Sequence, residues 1–522
     1  MQPTCCAELS PAERREFEER RLIGLVVVPG AEVPFRADYW RWRRRGDAGR
    51  HPGRDEDDQA EQQPTKIERK FESRVDRESR EPVFEALHGY DERIDVLPDR
   101  DTWRSRLLNY VDEHSTEIVT DLSGLVQIPS VSGSDKEIEI QHLISDRMIT
   151  MDLAVDTWQI PLEETLAEPD FPGVEVDRSE AWGVVGRVAG RGNGPSLMLN
   201  AHVDVVPPGD PLSWEGADPF SGRVTGDTVE GRGACDMKAG LVASLWAVRG
   251  LTELKVPLRG DLVLATVVGE EDGGLGTYAL LRRGWRADAC VIPEPTSLDI
   301  APASAGALTF RITVPGAATH ASRRLSGVSA IEKFIPLFSA LRRLERERNA
   351  IKHSLATRWE LPIPIEIGKI AAGDWVSNVP DRLYAYGRMG VAIGEDIPTA
   401  RRAFEEAIGA ACQDDVWLRV HPATVEWWGG QYASGITDVD SAIISTVQRC
   451  HADVSKSPQT MWATPYGSDL RLMQGIGTVP TIHYGPGDAG LAHGPRECVS
   501  IDELLTATRA LTLIAIDHCG LS

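Results

Sequence analysis

Five short segments carry the residues able to do chemistry: His202-Val-Asp204, Cys235-Asp236-Met237, Glu270-Glu271, Pro293-Glu294-Pro295 and Ala492-His493-Gly494. Together they supply two imidazoles and a set of carboxylates, the mixed nitrogen and oxygen donors that a pair of divalent metals takes. The chemistry of such a pair is hydrolysis by activated water. Taken singly, each segment is ordinary. A histidine and aspartate two apart are common on surfaces, an aspartate before a helix is usually a cap, and adjacent glutamates often only solvate a loop. What distinguishes them is that all five follow apolar, strand-like runs.

The local patterns suit a metal site. Alternation along a strand puts His202 and Asp204 on one side, so the carboxylate can orient the ring. Asp236 lies among glycines just before a helix, where a bridging carboxylate could approach two cations. Glu270 and Glu271 point to different sides of a strand end, leaving one to ligate and the other to face the attacking water as general base. Prolines stiffen the backbone on both sides of Glu294. Cys235 is a candidate soft ligand, but a small packing residue is the simpler reading.

The elements that must hold these residues follow from periodicity. Apolar spacing predicts helices over 103–128, 136–151 and 239–249, and strands over 182–188, 196–200, 262–268 and 291–292. Strands alternating with helices indicate an α/β sheet covered on both faces. From 307 the order changes to strand 307–314, helix 329–348, strands 364–370 and 383–391, helix 399–412 and strand 423–428. That β-α-β-β-α-β order is ferredoxin-like. It reads as an insertion, because His493 lies beyond it. The expected organisation is a charged, disordered segment over 1–102, a catalytic domain over 103–305 and 429–522, and a lid over 306–428.

Composition sets outer bounds. A chain of 522 residues calls for more than one core. The net charge of −23 argues against a nucleic-acid partner, which would need a basic face. No run reaches the length of a membrane span. The eight cysteines show neither zinc-finger nor disulfide spacing, and the cytoplasm is the expected compartment.

With these residues in view, the chain resembles the dinuclear metallopeptidase and deacylase family of aminoacylase, acetylornithine deacetylase, succinyl-diaminopimelate desuccinylase and glutamate carboxypeptidase. The likeness covers roughly residues 105–522. It is carried further by Ile292-Pro-Glu-Pro-Thr296, Gly373-Asp-Trp-Val-Ser-Asn-Val-Pro380 and Tyr484-Gly-Pro-Gly-Asp488, and leans toward the deacetylase and desuccinylase branch. The resemblance implies that His202 and Glu294 hold one metal, that Glu271 and His493 hold the other, and that Asp236 bridges them. Asp204 would orient His202, and Glu270 would be the general base. It also implies a cis peptide at Asp236–Met237. Val314-Pro-Gly-Ala-Ala-Thr-His320-Ala-Ser322 matches the family's lid histidine, which helps stabilise the oxyanion, often from the other subunit of a dimer. Asn378 and Arg388 match positions that contact a substrate carboxylate. Two departures stand out: Gly269 replaces an acidic residue before the paired glutamates, and Arg323-Arg324 follows the lid histidine where a proline is common.

The resulting expectation is a hydrolase with two divalent metals, zinc first and cobalt or manganese as substitutes. It would cleave a linear amide of an N-acyl amino acid or related N-acyl amine and work as a homodimer through the lid. The alternatives are a metallo-exopeptidase, a dipeptidase or carboxypeptidase, and an amidohydrolase of ureido substrates. More remote is an inactive binding protein on the same scaffold, although this chain keeps every ligand and the base.

Overall fold

Continuous apolar runs make strands that are covered on both faces, and every position of β3 (Leu197–His202), β6 (Leu262–Val267), β7 (Ala289–Ile292) and β8 (Ile300–Ser304) is buried. The protein is described by a computed structural model over residues 98–522. The disordered segment expected over 1–102 therefore lies, up to position 97, outside the described residues. Among the described residues, the main sheet also contains β1 (Ala154–Gln159), β2 (Trp182–Val188), β13 (Gly435–Ile436), β14 (Met461–Thr464) and β15 (Thr481–His483). Its order is β1-β2-β6-β3-β7-β15-β8-β13, with β14 beside β8. The sheet is mixed: β6, β3, β7 and β15 run parallel to one another, and antiparallel strands flank them.

The helices differ from expectation in instructive ways. The segment 103–128 is two helices, Arg100–Glu113 and Ser115–Val126, not one. The break falls at His114 (φ −104°, ψ 16°). Its ring stacks on Tyr110, and its Nδ1 shares the Tyr110 carbonyl at 2.8 Å with the helical N–H. The helix Ala239–Glu253 is apolar nearly all round and lies in the interior against Ile501–Cys519. Strands β1 and β8 and the helix Leu275–Arg282 were not anticipated. In β8 a proline, Pro302, interrupts a run of small residues that carries little strand signal.

A second sheet joins β9 (Gly306–Pro315), β10 (Ile365–Ala372), β11 (Arg382–Val391) and β12 (Thr424–Tyr432) in the antiparallel order β10-β11-β9-β12. The helices Ala330–Arg348 and Ile397–Asp414 complete the ferredoxin-like pattern. Leu308, Phe310, Ile312 and Val314 alternate into a separate core with Leu337, Leu341, Phe404 and Ile408. A small sheet of β4 (Arg223–Thr225), β5 (Thr228–Glu230) and β16 (Cys498–Ser500) ties the loop after Asp204 to the segment after His493. Among the described residues no helix is long and apolar enough to cross a membrane.

Candidate metal centre

Ligands in open α/β sheets gather beyond the carboxyl ends of the parallel strands, and here β3, β6 and β7 deliver His202, Glu270-Glu271 and Glu294 to one edge. His202 closes β3. Its Nδ1–H donates to the main-chain carbonyl of Asp204 at 2.9 Å, which leaves Nε2 free as a ligand. The expected orienting carboxylate is farther off, with Oδ1 3.8 Å from Nδ1. The Asp204 carboxylate is instead occupied beneath the glutamates. It accepts the N–H groups of Glu270 (3.2 Å) and Glu271 (3.3 Å) and the hydroxyl of Ser132 (2.9 Å).

Asp236 sits between two groups of donors. His202 Nε2 lies 3.2 Å from Asp236 Oδ1 and 3.6 Å from Glu294 Oε1. On the other side, His493 Nε2 lies 3.5 Å from Asp236 Oδ2 and 3.2 Å from Glu271 Oε2. His202, Asp236 and Glu294 form one triad, and Asp236, Glu271 and His493 the other; within each, the donor atoms lie within 4.8 Å of one another. Each triad offers one imidazole and two carboxylates, which fits a borderline divalent cation. The electrostatics point the same way. Burial and the Asp236 charge push Glu294 well above the usual carboxylate range. The Glu271 carboxylate is the main reason that His493 is raised to about 11. Burial opposes ionisation of Asp236, yet hydrogen bonds from His202 and His493 hold it below its ordinary value. A cluster that retains protons so strongly is one that a cation would satisfy.

Glu270 lies beside both triads, 7% exposed, and ligates in neither. Burial, then the nearby Asp469, raises its carboxyl well above the ordinary value. The Asp236–Met237 peptide is cis, as the resemblance implied. The start of the helix that follows presses so close to the loop carrying Glu294 that a Cβ on Gly240 would stand 1.9 Å from the Pro293 carbonyl oxygen.

The supporting groups were not foreseen. Buried Glu497 takes the N–H groups of Gly233, Cys235 and Asp236 on one oxygen and pairs with Arg232 through the other. Lys238 is fully buried and donates to the carbonyls of Leu125 and Ile128. Arg178 bridges Glu137 and Asp272, all three side chains buried, and Glu137 accepts the N–H of Gly269 just before the paired glutamates. Gly269, at φ +67°, is where that bridge comes closest: a Cβ there would lie 3.0 Å from Arg178 Nη2. The sequence signal for this was the missing acid at 269, together with Asp272 just after the pair. The hydroxyl of Tyr466 is buried without a hydrogen-bond partner, and Glu294 and Asp236 are among the charges that act on it.

The family model of Peptidase family M20/M25/M40 matches residues 198–517, more than half of the chain and the whole span of the donors. The chain belongs to this family. It is 26% identical over 435 residues to the N-formyl-4-amino-5-aminomethyl-2-methylpyrimidine deformylase of Bacillus subtilis (strain 168), covering 78% of this chain and 96% of that protein. It is 38% identical over 160 residues to the succinyl-diaminopimelate desuccinylase of Methylobacterium sp. (strain 4-46), covering 28% of this chain and 40% of that one. Its fold is similar to that of the dipeptidase Dug1p of Saccharomyces cerevisiae (TM-score 0.64, 14% identity, 80% of this chain and 98% of the other). The chain is a metal-dependent amide hydrolase of the M20 family.

The three residues expected to act from the lid part company. His320 is exposed, its Nδ1 2.7 Å from the Ser322 hydroxyl. It bridges to Asn378, itself exposed and donating to Asp374 at 3.2 Å. Neither hydrogen-bonds to the metal cluster of its own chain. Arg388 does reach the cluster: its Nη2 is 3.5 Å from the main-chain carbonyl oxygen of Glu271 and 3.0 Å from Glu175 Oε1. Of the arginines after His320, Arg324 pairs with Glu332 on the lid.

Proposed function

We propose that this enzyme is a deacylase that removes a small acyl group from an N-acyl amine or N-acyl amino acid, using zinc, with cobalt or manganese able to replace it. The observation that carries the reading is the pair of donor triads sharing Asp236, with a buried, non-ligating Glu270 beside both. His202 and Glu294 would hold one metal, Glu271 and His493 the other, and Asp236 both. Bound there, the metals supply an activated water and polarise the scissile carbonyl. Glu270 accepts a proton from the attacking water and returns it to the departing amine nitrogen, a role that suits a carboxyl whose proton affinity is raised by burial. Asp204 holds both glutamates in place through their N–H groups. Deacylation is favoured over peptide cleavage because relatives that align nearly end to end include a deformylase and a desuccinylase.

The rest of the reading concerns organisation. Residues 103–305 and 429–522 would form the catalytic domain and 306–428 the lid, with His320 completing the site of a second subunit in a cytoplasmic homodimer. Support for the lid as an interface comes from its exposed edge. On and next to β10, Ile370, Trp375 and Val376 are 53%, 69% and 94% exposed.

Two measurements test the chemistry. Metal-replete protein should contain two ions per chain by elemental analysis, and clearly fewer would refute the shared-aspartate centre. Glu270→Ala should keep both ions yet lose about 10²–10⁴-fold in kcat, the range for removal of a general base. Activity close to the parent would refute its role.

A further inference from the structure

The arginine that the resemblance assigns to a substrate carboxylate already holds a carboxylate of its own chain. We propose that Glu175, by occupying Arg388, sets the substrate class: the amine released carries no carboxylate beside the scissile amide. This deepens the deacylase reading and rests on it.

Four contacts keep Glu175 where it is. Its Oε1 accepts from Arg388 at 3.0 Å and from the Thr309 hydroxyl at 2.7 Å. Its N–H and that of Val176 donate to Asp272 Oδ2 at 3.2 and 3.0 Å. Asp272 is itself fixed by the buried Arg178, and the Pro172 carbonyl accepts the N–H of Gln431 on β12. Side-chain exposures of 46% for Arg388 and 25% for Glu175 make this a partly solvated pair. Coulomb attraction alone then contributes little. The carboxylate stays because Thr309 and the Asp272–Arg178 network hold the segment that bears it.

The consequence for recognition follows from charge. Arg388 stands beside Glu271, so whatever it binds lies next to the metal cluster. An incoming carboxylate would have to evict Glu175 or share one guanidinium with it. Either course places two anions together in a site already rich in carboxylates, a repulsive device that rejects one substrate class. A neutral or cationic amine meets no such penalty, and Glu175 gives its N–H groups an acceptor.

The test uses a matched pair of probes, N-formylbenzylamine and N-formylphenylglycine, which differ only in the carboxylate. They are assayed with metal-loaded parent and Glu175→Gln, a change that keeps an acceptor for Thr309. The parent should favour the benzylamine in kcat/KM by at least about tenfold, and Glu175→Gln should shrink that ratio by about tenfold through a gain on phenylglycine. Calorimetric binding of both probes to metal-loaded Glu270→Ala, with and without Glu175→Gln, reads the same preference without turnover. A parent that prefers phenylglycine, or a preference that Glu175→Gln leaves unmoved, overturns the proposal while the deacylase reading stands. If both probes bind with the expected preference but neither is cleaved, the specificity proposal is upheld and the deacylase reading fails.

Discussion

Glu497 supports the proposed metal centre without belonging to either donor triad. One of its oxygens gathers three main-chain N–H groups of the turn that presents Asp236, and the other meets Arg232, both side chains being buried. Replacing it with glutamine keeps the shape, but turns an amide N–H₂ toward a buried guanidinium and leaves that charge uncompensated. Breaking a buried ion pair from one side costs about 3–5 kcal/mol, so Glu497→Gln should lose stability on that order in urea denaturation. It should also bind metal more weakly, because the Asp236 turn relaxes. Unchanged metal affinity would show that the turn is held by something else. The proposed ligands stand out in sequence because each is a histidine or acid at the tip of an apolar run. Glu497, Arg178 and Glu137 were not, since a lone acid in a loop or a base 41 residues from its partner has no periodic signature. Only the fold brings such pairs together. Asp204 shows a subtler limit. Alternation placed it beside His202, but which of its oxygens faces the ring depends on the loop that follows.

At the level of elements, the site exists because β6, β3 and β7 are adjacent, parallel and end at one edge. The sequence shows each strand but not their neighbour relations, which depend on contacts far apart in the chain. β8 escaped notice because alanine, proline and serine carry little strand propensity; its place comes from pairing with β13, β14 and β15. β15 carries a cost that can be measured. His483 is fully buried at its end, bonded only through Nε2 to the Ser468 hydroxyl, and burial pushes it down to about 3. A histidine whose folded pKa is depressed binds fewer protons folded than unfolded. Its contribution is therefore intact above the unfolded value of about 6.5, and it is lost as pH falls from there toward 3, at about 1.4 kcal/mol per unit. His483→Gln keeps a partner for Ser468 and removes the titration. Between pH 7.5 and 5, the metal-free variant should gain about 2 kcal/mol relative to the parent in chemical denaturation. Parallel pH profiles would mean that His483 can be protonated in the folded chain.

At the level of the whole molecule, the catalytic cluster and the lid histidine sit on surfaces that one chain does not bring into hydrogen-bonding contact. His320 and Asn378 bridge to each other on the lid, exposed, while Arg388 from the same sheet reaches Glu271. On the dimer reading proposed above, the lid arginine would serve its own chain's site and each histidine the centre of a two-fold partner. The exposed apolar residues next to β10 would give such a partner a surface to bury. Sedimentation should therefore find a dimer. Mixing makes the shared site visible. Glu270→Ala and His320→Ala homodimers should each be nearly inactive. In a mixed dimer, the chain that keeps Glu270 receives His320 from its partner and regains one working site. Random reassociation of equal amounts makes half the dimers mixed, so activity should recover to about a quarter of the parent's. A mixture no more active than the sum of its parts, or a fully active monomer, would place His320 at its own chain's centre after a closing movement of the lid.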